Sequence, residues 1–107
     1  MTEIEIVLRE CDNEQLVHQI GARVILSISG GRILGRETGI TLPVSNGYSV
    51  TVDLAANDLY IVRRIFKRGT KTWVKGERRE VYCEDVSNAA YYASCFRSYD
   101  ADEWVTK

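Results

Sequence analysis

Eight basic side chains lie close together in one short part of the sequence. Residues 63–79 contain these eight cations and a single acid, Glu77, so the segment has a formal charge of +7. Trp73 and Phe66 lie in the same segment. Cationic side chains bind phosphates and aromatic rings stack on bases, so this composition indicates a binding site for nucleic acid or another partner. The candidate residues are Arg63, Arg64, Lys67, Arg68, Lys71, Trp73, Lys75, Arg78 and Arg79.

The charge of the rest of the chain leaves two other interpretations of this basic segment open. The remaining residues carry six basic and fourteen acidic side chains, a charge of −8, so the whole chain is at −1. An edge hairpin often carries charge only to stay in solution, and here the acidic remainder could pair with it. The same complementarity favours association between copies of the chain. A sequence isoelectric point of about 5.8 argues against a protein that coats DNA.

A second candidate surface is an aromatic cluster near the C-terminus. Its default interpretation is packing in the core, above all for Phe96. Some of its rings must lie off the alanine stripe of the predicted helix, and exposed aromatic residues are typical of protein interfaces. The residues of this candidate docking surface are Tyr91, Tyr92, Tyr99 and Trp104.

The residue types that carry catalysis and metal binding are sparse. His18 is the only histidine, and no spacing suggests a nucleophile and an orienting acid beside it. Together with Cys11, Cys83 and Cys95 it could form a Cys₃His zinc site, but zinc sites usually contain a closely spaced ligand pair, and none occurs here. The sequence therefore predicts a protein that is not an enzyme and has no metal, cofactor or evident small-molecule substrate.

The cysteines and the N-terminus favour the cytoplasm. An odd number of cysteines without a CxxC motif is typical of reduced thiols. The first ten residues, MTEIEIVLRE, lack the features of a signal peptide. No apolar run approaches the roughly 20 residues that span a bilayer. We expect a cytoplasmic protein that does not enter a membrane.

The elements that position these residues follow from periodicity and turn residues. Residues 3–8 alternate as a strand does, and residues 13–20 predict a short helix with Asp12 as its N-cap. Residues 22–29 are β-branched and apolar, which predicts a strand that turns at Gly30-Gly31 into a return strand over residues 32–42.

The second half of the sequence predicts a hairpin series and a helix. Asn46-Gly47 is a strong hairpin turn, followed by strands at 48–54, 59–67 and 71–83. Gly76 interrupts the last strand as a bulge or a second turn. Apolar residues at helical spacing predict a helix over 85–98.

These elements predict one domain over residues 1–107, of α+β class and mainly β. Its core would be a strongly bent antiparallel sheet or small barrel of five to six strands. The short helix near 13–20 would precede the sheet, and the helix near 85–98 would follow it.

Residues 16–54 resemble the start of a Sm-like barrel, in which a short helix precedes strands with glycine bends. Arg68-Gly69 resembles the Arg-Gly pair of that family's second motif. The resemblance implies a small barrel that contacts RNA through this pair. It is carried by Leu16, Ile20, Gly21, Val24, Gly31, Arg32, Gly35 and Gly39.

Residues 60–104 resemble small uncharacterised proteins of actinobacterial phages and prophages. The similar segment reads YIVRRIFKRGTKTWVKGERREVYCEDVSNAAYYASCFRSYDADEW. This resemblance implies a phage origin and a bacterial host cytoplasm, and it implies no activity.

The leading hypothesis from the sequence is a small intracellular accessory protein that acts by macromolecular binding. Its partner would be a host protein or a second copy of the chain, as a homo-oligomer. The alternative is a Sm-like, nucleic-acid-binding protein that uses the basic hairpin at residues 63–79.

Overall fold

The structure is a computed structural model that describes residues 7–94. Within this range the chain forms three helices and five strands. In chain order they are α1 (Asn13–Ile20), α2 (Ala22–Ser29), β1 (Leu34–Gly35), β2 (Gly39–Pro43), β3 (Tyr48–Leu54), β4 (Tyr60–Arg68), β5 (Lys71–Val81) and α3 (Val86–Ser94). Most of the strand predicted at residues 3–8 lies outside the described residues, and Leu8 forms an isolated bridge with Ala55.

The first helix is confirmed, together with both of its ends. The carboxylate of Asp12 accepts a hydrogen bond from the backbone N–H of Gln15 at 3.2 Å, as an N-cap does. Gly21, with a φ of 94°, ends the helix. Leu16 and Ile20 are buried on the face that meets the rest of the protein.

The strand predicted at residues 22–29 is wrong, because this segment forms helix α2. Ile25 and Ile28 are buried three residues apart, whereas Leu26 is 64% exposed, so the buried residues follow a helical period. A short apolar run fits a strand or a buried helix equally well, and packing overrides the β-propensity of its residues. Gly30 has a φ of 66° and caps this helix, so Gly30-Gly31 is not a hairpin turn.

The return strand predicted at residues 32–42 is two strands, β1 and β2, which pair with each other. Gly39 starts β2 at a close approach to β3. A Cβ atom added at Gly39 would lie 1.8 Å from the carbonyl oxygen of Val52, so only glycine fits there.

The other turns of the sheet lie where the sequence predicts them. Asn46 and Gly47 have positive φ values of 55° and 86° between β2 and β3. The structure also settles the role of Gly76. Arg64 pairs with Gly76 and Ile65 pairs with Val74, so one extra residue of β5 forms a bulge and no second turn occurs.

The five strands form one antiparallel sheet in the order β1-β2-β3-β4-β5. The sheet is curled but open, since β1 and β5 lie at its two edges. The predicted class, α+β and mainly β, is therefore confirmed in its bent-sheet form and not as a closed barrel.

The three helices pack on one face of this sheet. Val86, Ala89, Ala90 and Ala93 of α3 are buried, which confirms the predicted apolar stripe. Across from the helices the core contains the strand residues Ile40, Leu42, Val50, Val52, Tyr60 and Val62. The remainder of the helix predicted over 85–98 lies outside the described residues. Within residues 7–94, no helix has the length and apolar character needed to cross a membrane.

Candidate nucleic-acid interface

The basic segment forms the hairpin of β4 and β5, which turns at Gly69-Thr70. Gly69 has a φ of 60°, a conformation that glycine adopts without strain. Residues opposite each other in an antiparallel pair point to the same face, and successive residues alternate. The register therefore decides which of the eight cations lie together.

Arg64 is buried and does not face the solvent. Its side chain is only 3% exposed, and Nη1 donates a hydrogen bond to the carbonyl oxygen of Ala93 at 2.5 Å. Its guanidinium carbon lies 4.4 Å from the centroid of the Tyr48 ring. A charge-assisted hydrogen bond and a cation–π contact both connect this guanidinium to its surroundings, so Arg64 holds α3 against the sheet.

Arg63 and Arg79 share one carboxylate. Nε of Arg63 lies 2.6 Å from Oε1 of Glu77, and Nε of Arg79 lies 2.8 Å from Oε2. Burial raises the pKa of Glu77, but the hydrogen bonds and positive charges of the two arginines outweigh it and hold this pKa below its ordinary value. Glu77 is therefore ionised at neutral pH and offsets part of the charge of both arginines.

The other five cations of the predicted site are exposed: Lys67, Arg68, Lys71, Lys75 and Arg78. Arg68 and Lys71 face each other across the end of the hairpin. Neither forms an ion pair with any residue of the described range. The end of the hairpin is therefore strongly positive.

A row of aromatic rings crosses β3, β4 and β5 beside these cations. The ring centroids of Tyr48 and Phe66 lie 4.7 Å apart, and those of Phe66 and Trp73 lie 5.6 Å apart with an interplanar angle of 28°. Trp73 is 40% exposed. Nζ of Lys75 lies 5.9 Å from the Phe66 centroid and 6.0 Å from the Trp73 centroid. The exposed Trp73 ring at one end of the row thus lies next to positive charge.

The register places these rings and the cations at the end of the hairpin on one face. Phe66 pairs with Trp73, and two residues further on Arg68 pairs with Lys71, so all four side chains share a face. We call this surface the hairpin interface. It consists of Tyr48, Phe66, Arg68, Lys71, Trp73 and Lys75.

Tyr48 and Phe66 were not among the site residues predicted from the sequence. Phe66 lies within the basic segment, and Tyr48 comes from a different strand. No local signal indicates Tyr48, because the Asn46-Gly47 turn fixes the register of β3 against β2 and not its pairing with β4.

The predicted aromatic docking surface is only partly described. Tyr91 is 49% exposed on α3, whereas Tyr92 is partly buried and packs against the core. Tyr99 and Trp104 lie outside the described residues. Docking of a protein on this surface remains a prediction.

The residues considered for catalysis or zinc binding differ in their exposure to solvent. His18 is exposed on α1, Cys11 is buried and Cys83 is exposed, while Cys95 falls outside residues 7–94. Burial raises the pKa of Cys11, and the nearby charges of Asp12 and Asp53 raise it further, so its thiol is protonated at neutral pH. Among the described residues, no three His, Cys, Asp or Glu side chains are grouped to hold a metal ion.

No protein-family model matches the chain, and neither curated proteins nor solved structures give a match. The resemblances to Sm-like barrels and to phage proteins therefore stay predictions.

Proposed function

We propose that this protein binds single-stranded nucleic acid through the hairpin interface and acts by binding rather than by catalysis. One observation carries the proposal: the stacked rings of Phe66 and Trp73 share one face, at the end of the β4–β5 hairpin, with Arg68 and Lys71, two exposed cations that form no ion pair within residues 7–94. Proteins that bind single strands combine these two features, because bases stack on the rings while cations contact the phosphates.

The position of the cations favours a role in binding over a role only in keeping the hairpin soluble. Arg68 and Lys71 lie directly opposite each other, and like charges in such a pair destabilise a hairpin. Elsewhere in the same hairpin, Arg63 and Arg79 are paired with Glu77. A local arrangement that costs stability is expected where function requires it.

The aromatic row favours a single strand over a duplex. Bases in a duplex are stacked on each other, so their faces are not accessible to protein rings, whereas the bases of a single strand can be splayed onto them. Trp73, the exposed ring at the end of the row, suits stacking of one such base.

Fluorescence anisotropy with a labelled oligothymidylate tests the proposal. We expect binding at low salt that weakens as salt increases, with a log–log slope of about −0.7 for each phosphate contact. The double variant Arg68→Ala/Lys71→Ala should lose at least about tenfold in affinity and flatten this slope by about 1.4. Its control is Arg23→Ala, which removes an exposed cation of α2 far along the chain from the hairpin. No binding at low salt, or an equal loss in both variants, would overturn the proposal.

A variant of Trp73 separates nucleic acid from an acidic protein as the partner. Trp73→Leu removes the stacking surface and keeps every charge, so it should weaken oligothymidylate binding by about five- to tenfold. Trp73→Phe retains a ring and should restore most of the affinity. Binding that depends on the charges but is indifferent to Trp73→Leu would favour the protein-partner hypothesis of the sequence analysis instead.

A further inference from the structure

A surface pocket of about 470 Å³ lies beside the hairpin interface and shares Tyr48 with it. It is formed where β1, the β2–β3 turn and the end of β4 meet. Leu34, Pro43 and Val44 give it an apolar lining, and Tyr48 contributes to its wall. Sites for small molecules have volumes of roughly 300–1,000 Å³ and similarly apolar linings, so the pocket has the size of a ligand site.

The charged groups at this pocket have one sign. Arg32 and Lys67 both line it, and none of its described lining residues is acidic. Lys67 points away from the hairpin interface, because its neighbours Phe66 and Arg68 point toward that interface. Neither Arg32 nor Lys67 forms an ion pair with a residue in the described part of the chain. Within residues 7–94, these two cations therefore have no carboxylate partner, which favours an anion at this pocket.

The orientation of Arg32 and two nearby hydroxyl groups provide further polar contacts for an anion at this pocket. Nε of Arg32 donates a hydrogen bond to the carbonyl oxygen of Ser29 at 3.3 Å, which holds the guanidinium at the end of α2. Its terminal nitrogens are then available for bidentate contact with a carboxylate or phosphate. Thr41 and Ser49 add hydroxyl groups to the pocket lining.

We infer that this pocket binds a small organic anion, with its carboxylate or phosphate held by Arg32 and Lys67 and its apolar body against Leu34, Pro43 and Val44. The inference does not depend on nucleic-acid binding. It adds a class of ligand for which the sequence alone gave no indication, because the lining residues come from separate segments between residues 32 and 67.

Titration of the ¹⁵N-labelled protein tests this site, with phenyl phosphate and benzoate as probes and benzyl alcohol as the neutral analogue. We expect both anions, but not benzyl alcohol at the same concentration, to shift the amide signals of Leu34, Val44 and Ser49. The two anions also separate a phosphate from a carboxylate as the preferred group. Arg32→Gln should weaken anion binding by about tenfold, since it removes a charge-assisted contact.

Two controls make the result specific. Arg23→Gln removes an exposed cation of α2 outside the pocket and should bind phenyl phosphate as the wild type does. The variant Arg68→Ala/Lys71→Ala should also keep phenyl phosphate binding, and Arg32→Gln should keep oligothymidylate binding, so the two sites can fail independently. Equal shifts with benzyl alcohol, unchanged affinity in Arg32→Gln, or shifts confined to the hairpin interface would overturn the inference.

Discussion

Arg64 and Arg68 belong to the same strand and point to the same face, but they have opposite roles. Arg64 lies beneath the end of α3, where the carbonyl of Ala93 and the ring of Tyr48 replace water around its guanidinium. Arg68 lies four residues further along the strand, at the end of the hairpin, and is exposed. The difference arises from what covers each residue, since the side-chain chemistry is identical.

Arg64→Ala should destabilise the protein by about 2–4 kcal/mol, because it leaves a buried carbonyl without its partner and opens a cavity beside Tyr48. Urea unfolding followed by circular dichroism measures this change. Arg78→Ala, at an exposed cation of the same hairpin, is the control and should stay within about 0.5 kcal/mol of the wild type. A similar loss of stability in both variants would show that Arg64 has no special structural role.

At the scale of elements, α2 and β2 both depend on contacts that are distant in sequence. The segment 22–29 is a helix because Ile25 and Ile28 meet the core on one side. Strand β2 can approach β3 only because Gly39 has no side chain against Val52. The turn between β1 and β2 is held by Asp53, which accepts hydrogen bonds from Arg36 at 2.6 Å and from Thr38 at 2.8 Å.

Gly39→Ala should destabilise the sheet by about 2–3 kcal/mol, because the added methyl group would clash with the backbone of β3 and force β2 away from it. Gly35→Ala is the matched control in β1. A Cβ atom there would lie 3.4 Å from Nδ2 of Asn13, a side-chain atom that can shift, so we expect a change below about 1 kcal/mol. Thermal unfolding compares the two variants, and equal melting temperatures would contradict the close approach.

At the scale of the whole molecule, Tyr60 joins the helical layer to the sheet. Its hydroxyl donates a hydrogen bond to Oε1 of Gln19 on α1 at 2.7 Å, and the residue is buried in β4. Burial raises the pKa of Tyr60 to about 12, and the charges of Cys11, Cys83 and Asp12 add to this effect. The folded state therefore favours the protonated phenol, which donates this hydrogen bond.

The stability of the fold should fall between about pH 10 and pH 12. An unfolded tyrosine ionises near pH 10, whereas folded Tyr60 keeps its proton to about pH 12, so the unfolded state is increasingly favoured over this range. Urea unfolding at several pH values should give a smaller decrease for Tyr60→Phe than for the wild type. The control is Tyr91→Phe, which alters an exposed ring and should leave the decrease unchanged. Identical profiles for all three proteins would contradict the raised pKa.

The sequence by itself determined the features that depend on neighbouring residues. Asp12 caps α1, Asn46-Gly47 turns β2 into β3, and the alanine stripe of α3 is buried, since each follows from local backbone and side-chain chemistry. The basic hairpin was likewise predicted as a unit, because β4 and β5 are adjacent along the chain and joined by a short turn.

Only the tertiary structure decided the secondary structure, burial and contacts of residues whose partners are distant in sequence. It made residues 22–29 a helix, buried Arg64 under α3 and brought Tyr48 beside Phe66, and composition alone indicated none of these outcomes. Secondary structure in an ambiguous apolar run depends on the surface it packs against, and the neighbours of a side chain depend on strand register. Both are fixed when separate segments pack together. The basic segment of the sequence therefore divides into a buried arginine under α3, two arginines that share one carboxylate, and the exposed cations of the hairpin interface.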